Sequence, residues 1–341
     1  MKPVALVTGE ISPYRREPFR LLDEAEHIDV IAYNDAGQLE AAKRTAGGRH
    51  RAVICGLGGK LALPATYAAA RKAKIPFVLW ASMWSHPRTA THTLSWLPTK
   101  ALYRNADAVV TYGPHVSAYV ERHRGPRGNV FEAPQAVSAG EFGRQVDPDE
   151  RQRARARADA TDADFLLLFV GRLEKEKGIG TLLEAWKSAD DDMRLAFAGA
   201  GPLHPEGAGI THLGPQPRDR LPALYAASDA LVLPSIRTAT FLEPWGLVVN
   251  EAMHQGTPTI ASDAVGAVAG GLVRDGRNGL VFPANDAAAL AARIRTLKSN
   301  PELRERLGGA AREDVQAYSE QAWADGMSEA LNAVGASRRS L

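Results

Sequence analysis

The sequence has a single cysteine, Cys55, in 341 residues. No internal disulfide can form, and a cysteine-based metal site would lack ligands. Such a chain suits a reducing compartment. No stretch approaches the run of about 20 apolar residues that crosses a bilayer. The opening "MKPVALVTGE" has an apolar run too short for a secretory leader and no small-residue cleavage site after it. A cytoplasmic location is the expectation. Charge of one sign is also scarce: 41 Lys and Arg against 39 Asp and Glu leave a formal net charge of +2. That is too little to argue for a nucleic-acid partner. The 45% hydrophobic and 23% charged residues are an ordinary globular composition, and the length allows two domains, each with its own core.

What is present is an alternation of short apolar runs with longer amphipathic stretches, the pattern of α/β domains with parallel sheets. In the first half the strand candidates are residues 4–8, 28–32, 52–55, 76–81 and 107–112. The stretch 134–164 breaks the rhythm with Pro, Gly, Asp and Arg. It sets the expected boundary: a first domain over 1–140, a linker over 141–164 and a second domain over 165–317. Strand candidates resume at 165–171, 193–199, 230–235, 258–262 and 279–283. In the tail 318–341, Trp323, Met327 and Leu331 fall four apart on one helix face, as expected of a helix packing back toward the first domain.

Local charge runs are read as solvated surface. "RQRARARAD" (151–159) suits an exposed helix face. The acidic runs "DAD" (162–164) and "DDD" (190–192) lie in connections far from the glycine turns, so no metal site is expected there.

Open α/β sheets bind ligands at the carboxyl ends of their strands. Three such turns in the second half are candidates for phosphate binding, the second of them no more than a glycine turn when taken alone. In "FVGRLEKEKGIG" a strand ends at Gly171, cations follow at Arg172, Lys175 and Lys177, and Gly178 and Gly180 open a helix. A guanidinium fork or an ammonium neutralises phosphate oxygens; a charged loop capped by glycines is the plain alternative. "FAGAGPL" places Gly199 and Gly201 after the next strand. "EPWGLVVNEAMHQG" sets Gly246 at the start of a helix, where the first-turn amides of Gly246, Leu247 and Val248 lack helical partners and form an anion site. Glu243 precedes that site and Glu251 lies two turns inside the helix. Eight residues of regular helix span about 12 Å, comparable to the reach from a sugar to a ribose across a diphosphate. An exposed helix glutamate is the other reading of Glu251.

These segments, "FVGRLEKEKG", "EPWGLVVNEAMHQGTPTIASDAVG" and "LVRDGRNGLVFPANDAAALAARI", resemble the C-terminal domain of family-4 retaining glycosyltransferases over roughly residues 165–300. The resemblance implies the GT-B fold, α/β with two Rossmann-like doubly wound domains facing a central cleft. Its hallmark is the Glu-x7-Glu pair Glu243 and Glu251. "SPYRREPF" resembles a subgroup with Pro-Tyr-Arg after the first strand. By resemblance, Arg172 and Lys177 bind the donor's diphosphate and stabilise it as leaving group. Glu243 contacts the donor sugar, the amides of Gly246 and Leu247 hold the distal phosphate, and Glu251 binds the ribose. Gly9, Gly171, Gly199, Gly201, Pro215, Pro244, Trp245 and Val248 complete the implied donor site. A first-domain histidine reaches the donor sugar in this family; His86 fits better than His92 because it is nearer its strand. The chain departs from the family in having only Gly9 after the first strand, where a Gly-Gly pair is common, and Gln135-Ala136 where Asn-Gly is common.

The expected reaction moves a sugar from a nucleotide-sugar, UDP-linked by the commoner family choice, to a hydroxyl acceptor. The family's outcome is retention of anomeric configuration, with fixed cations in place of a metal and no cofactor. A nucleotide-sugar epimerase and a non-catalytic nucleotide-sugar sensor are the alternatives. A dinucleotide dehydrogenase is disfavoured, because "GEISPY" lacks GxGxxG. The acceptor, a glycan, lipid-linked saccharide or small molecule, is expected beside Tyr14, Arg15, Arg16, Trp84 and Arg88. "LSWLPTKALYR" (94–104) reads either as a core helix or as one docking on the inner face of an anionic membrane.

Overall fold

The computed structural model of the chain describes residues 1–86 and 90–338, the side chains of 90–95 excepted. Arg88 and the His92 side chain therefore lie outside the described residues. The chain forms two compact units, Met1–Ala136 with Ser319–Leu341, and Val137–Tyr318.

The first unit is built on six parallel strands: β1 (Val4–Thr8), β2 (Ile28–Ala32), β3 (Ala52–Gly56), β4 (Phe77–Ala81), β5 (Ala108–Thr111) and β6 (Val130–Glu132). They lie in the order β2-β1-β3-β4-β5-β6. The second unit has β7 (Phe165–Val170), β8 (Met193–Ala198), β9 (Ile210–Gly214), β10 (Ala230–Leu233), β11 (Thr259–Ser262) and β12 (Gly279–Phe282), ordered β12-β11-β10-β7-β8-β9 and again parallel. The runs that read as continuous apolar segments are those that helices cover on both faces: β4 and β7 are buried along their whole length. The sequence patterning misses β6 and β9. Both are edge strands, only partly buried, with polar residues in "VFE" and "ITHLG", so neither shows an apolar run.

These strand orders fix where ligands can enter. In the first unit the chain turns back between β1 and β3, and in the second between β7 and β10. Loops leaving the carboxyl ends of such a strand pair diverge and open a crevice, the topological switch point. The loops carrying Gly9 to Arg15 and Gly56 to Gly58 bound the first crevice. Those carrying Gly171 to Gly178 and Ser235 to Gly246 bound the second.

The helix Glu320–Ala333 belongs to the first unit and buries Trp323, Met327 and Leu331 completely. The Trp323 ring packs on Phe19 and Trp80, with centroids 5.6 and 5.5 Å away. Residues 141–164 are no separate linker. They sit in the second unit and contain the helix Pro148–Arg157, capped by the Asp147 carboxylate accepting from the amides of Asp149 and Glu150. Nor is that helix wholly solvated. Arg155 is buried, donating to the carbonyls of Ala227, Thr161 and Asp164. The guanidinium there gathers carbonyls from separate segments of the chain. Asp190 and Asp192 of the acidic run both pair with Lys298, at 2.6 and 2.5 Å.

Candidate active site

The second crevice gathers the charged residues of two loops. After β7 the chain passes Gly171, then a single 3-10 turn over Lys175–Lys177. The loop is stitched to the one after β10 by the Ile236 amide donating to the Glu176 carbonyl at 2.9 Å. At Gly178 the backbone has φ +75°, and a Cβ there would stand 1.8 Å from the Pro234 carbonyl oxygen. Only glycine allows this approach. Lys177 is thereby delivered to Glu243: its Nζ lies 2.5 Å from Oε2, and the side chains are only 14% and 8% exposed. Ser235 Oγ donates to the same oxygen at 3.0 Å. The ring of Phe241 lies 5.1 Å from the ammonium, a cation–π contact that helps hold it in place.

Glu243 itself is fixed through its backbone. Its carbonyl accepts from the Gly266 amide at 3.1 Å, and Trp245's accepts from Ala267 at 2.8 Å. The Trp245 indole is buried, donating to Asn250 Oδ1 at 2.7 Å and packing on Tyr318. Its side chain is turned into the core, leaving its backbone to the loop. Pro244 is held in the same tight approach to Gly266, where a Cβ would come 2.0 Å from the Pro244 carbonyl oxygen. Gly246, at φ +97°, caps the helix Leu247–His254, so the unpartnered amides of Leu247 and Val248 face the end of the Glu243 loop.

Glu251 lies deeper on that helix. Tyr225 donates its hydroxyl to Oε2 at 2.5 Å. Burial pushes the carboxyl up to about 7, against the opposing effects of Tyr225 and Arg218. Although part of its surface reaches solvent, protein surrounds it on most sides. Burial and the neighbouring carboxylate also raise Tyr225 well above the ordinary phenol range. Arg218 is held nearby by Glu141, 2.7 Å away, and stacks over Phe142.

The remaining residues of the expected donor set lie on the same carboxyl edge. Gly199 and Gly201 follow β8, where Cβ atoms would meet the carbonyl oxygens of Gly171 and Leu173 at 1.8 and 2.4 Å. Pro215 is exposed just after β9. Arg172 is 59% exposed and paired with Glu174 at 2.6 Å. Sequence reasoning did not single out Ser235, Tyr225 or Phe241. Each touches Lys177, Glu243 or Glu251 through the tertiary fold, and no local motif announces them.

In the first unit, Gly9, Tyr14 and Arg15 line a cavity of about 170 Å³ at the β1–β3 switch point, together with Thr8, Ser12 and Ser82. Arg15 is buried, its guanidinium 4.4 Å from the Trp80 ring and 4.8 Å from that of Tyr14. Its Nη2 donates to Gln135 Oε1 at 2.7 Å and Tyr112 Oη at 3.1 Å. Arg16 is exposed at the start of the helix Arg16–Glu26. Trp84 stands edge-on to His115, and His86 packs on Trp96 with centroids 4.6 Å apart. Within 94–104, Leu102 and Tyr103 are buried and Leu97 is 73% exposed. Among the described residues no helix is long and apolar enough to cross a membrane.

Two α/β units with six-stranded parallel sheets and switch-point loops of this kind define the GT-B architecture. Solved structures bear out the likeness of fold. The chain superposes on Anabaena HepE in complex with UDP-glucose with a TM-score of 0.76 and 17% identity, over 97% of this chain and 100% of the other. It superposes on a sucrose-phosphate synthase from Thermosynechococcus elongatus with a TM-score of 0.78 and 22% identity, over 98% and 100%.

Residues 150–314 match the family of glycosyl transferases group 1, which supports that family for the unit bearing Lys177, Glu243 and Glu251. A sulfoquinovosyl transferase of Arabidopsis thaliana is 34% identical over 168 residues, 45% of this chain and 30% of its own. A D-inositol 3-phosphate glycosyltransferase of Rhodococcus jostii is 28% identical over 244 residues, 66% and 52%. The chain spans between 30% and 64% of the length of curated relatives such as these.

Proposed function

We propose that the chain transfers a sugar from a nucleoside-diphosphate sugar, UDP-linked, to a hydroxyl acceptor, with retention of configuration and no metal. The observation that carries this reading is the meeting of Lys177 and Glu243 at the β7–β10 switch point, beside the free N-terminus of the helix that bears Glu251. Negative charge grows on the leaving diphosphate as the sugar departs. Fixed cations and amides aimed at that charge stabilise the transition state more than the ground state. In this role Lys177 and Arg172 face the diphosphate, and the amides of Gly246 and Leu247 hold its distal phosphate. Glu243 accepts from sugar hydroxyls and Glu251 from those of the ribose. The turns at Gly171, Gly199 and Gly201 bring backbone close to the nucleotide, whose base lies by Pro215. His86 of the first unit is the histidine proposed to meet the donor sugar, and the acceptor belongs to the first unit's switch-point loops. The single buried cysteine suits a cytoplasmic site of action.

Thermal stabilisation by UDP, GDP, ADP and dTDP, each beside its common sugar conjugates, tests this reading. A ligand at about 100 times its Kd adds roughly 2.7 kcal/mol. UDP and one UDP-sugar should stand out, and Glu251→Ala should abolish the preference. Failure of every nucleotide to stabilise the chain overturns the reading. Donor turnover without transfer to any acceptor would point to an epimerase instead.

A further inference from the structure

Three arginines are buried among the described residues, and they are not alike. Arg124 donates from Nε to Gly128, from Nη1 to the carbonyls of Tyr103 and Ala106, and from Nη2 to Asp107. Arg155 likewise uses all three nitrogens on carbonyls and lies 3.3 Å from the Asp229 carboxylate. These are structural cations with every donor nitrogen engaged. Arg15 is 5% exposed, yet only its Nη2 finds acceptors, the neutral oxygens of Gln135 and Tyr112. Nε and Nη1 have no hydrogen-bond acceptor among the described residues, and no carboxylate there pairs with the charge. Aromatic faces at Trp80 and Tyr14 balance a buried cation only in part. Arg15 also lines the 170 Å³ cavity at the β1–β3 switch point, with the hydroxyls of Thr8, Ser12 and Ser82. The one acidic group on that lining, Glu10, is exposed.

A guanidinium with unused N–H donors can bind a carboxylate or phosphate through charge-assisted hydrogen bonds. The cavity is smaller than the several hundred Å³ typical of whole-ligand sites, so it suits one end group of a larger ligand. We propose that this pocket is an oxyanion subsite, in which the unused N–H donors of Arg15 receive a carboxylate or phosphate carried by the acceptor. Assigning that group to the acceptor rests on the transferase reading above. The oxyanion pocket itself does not. Tyr14 and Trp80 act as its walls, holding the guanidinium plane in place so that little order has to be imposed when the anion arrives.

The test uses the full chain with inorganic phosphate, glucuronate and glucose as probes, by titration calorimetry and, for phosphate, ³¹P line broadening, with and without UDP. Saturable binding of phosphate or glucuronate but not glucose is expected, unaffected by UDP, and the stronger anion names the group. Arg15→Met should weaken that binding at least tenfold. Gly9→Leu should also weaken it. Gly9 lines the pocket, and a Cβ there would meet nothing within 4 Å, so a larger side chain can be placed in the lining while Arg15 is kept, and this variant decides the matter should Arg15→Met fail to fold. Absence of anion binding in the wild type, equal binding in both variants, or displacement of phosphate by UDP would overturn the proposal. The last outcome would make the pocket part of the donor's diphosphate site. Anion binding that survives in a chain that binds no nucleotide would leave the pocket standing and sink the transferase reading alone.

Discussion

The two switch points treat charge and space in opposite ways. In the second unit Lys177 is matched to Glu243, Arg172 to Glu174 and Glu251 to Tyr225. Backbone also closes around the glycines, so that Gly178, Gly199 and Gly201 would each bring a Cβ within 2.4 Å of a carbonyl oxygen. In the first unit Gly9 faces open space, and the buried cation Arg15 has rings and neutral acceptors but no acid. A site whose own groups satisfy one another is organised before its ligand arrives, and the ligand must displace internal pairs. A site with an unmatched cation gains its missing partner from the ligand. The contrast suits the proposed reading, in which a nucleoside-diphosphate group is the constant ligand on one side and the acceptor the variable one on the other.

The sharpest way to break this comparison is through the glycines. Gly178→Ala adds a methyl against the Pro234 carbonyl at φ +75°. Left-handed backbone and overpacking together cost about 2 to 5 kcal/mol. Gly9→Ala should change stability by no more than about 0.5 kcal/mol. Thermal unfolding of the two variants checks the difference. Similar losses in both would mean that the second unit's loops are no more rigidly built than the first's.

Next in size is the Lys177–Glu243 pair. Both side chains are largely buried, and removing one partner strands the other's charge, which costs about 3 kcal/mol in buried settings. Lys177→Ala and Glu243→Ala should each lower transfer at least about tenfold, or roughly 1.4 kcal/mol of transition-state stabilisation. Because the groups share one contact, the double variant should lose much less than the product of the single losses. Multiplying losses would show that the contact between the two side chains matters less than what each does by itself for the diphosphate and for the sugar. Near-wild-type transfer in both single variants would remove the site.

Much of the second unit was legible in the sequence because its chemistry is local. Gly171, Lys177, Gly246 and Glu251 lie within short segments whose spacing mirrors a strand, a turn and a helix start. Ser235, Tyr225 and Phe241 were not legible, because a hydroxyl or ring before or after a strand looks the same whether it meets a carboxylate or water. The helix at 148–157 read as a solvated arginine face, since alternating Arg and Ala gives no sign that Arg155 folds inward onto carbonyls. In the first unit "SPYRREPF" marked Arg15 for the acceptor side. The sequence could not distinguish an exposed arginine from one walled by Trp80, because the wall comes from β4 and from a helix more than 300 residues further on.

Glu251 offers the smallest and most pH-sensitive test. Its carboxyl is raised from 4.5 to about 7 by burial, so the folded state holds a proton that the unfolded state has already lost between those values. The contribution of Glu251 to the stability of the ligand-free chain therefore falls as pH rises from about 4.5 to about 7, and is level on either side. Glu251→Gln keeps an acceptor for Tyr225 and removes the titration. It should unfold later than the wild type at pH 8, by about 1 kcal/mol once partial exposure is allowed for, with the gap closing toward pH 4.5. Nucleotide binding should act in the opposite direction. Ribose hydroxyls donating to the carboxylate favour its ionised form, so UDP should bind the wild type more tightly at pH 8 than at pH 6 and release a proton near pH 7. The variant should show only the ionisation of UDP's own phosphate. Calorimetry in buffers of different ionisation enthalpy separates the two. Equal proton release in wild type and variant would mean that Glu251 keeps Tyr225 as its partner throughout and that the ribose is bound elsewhere.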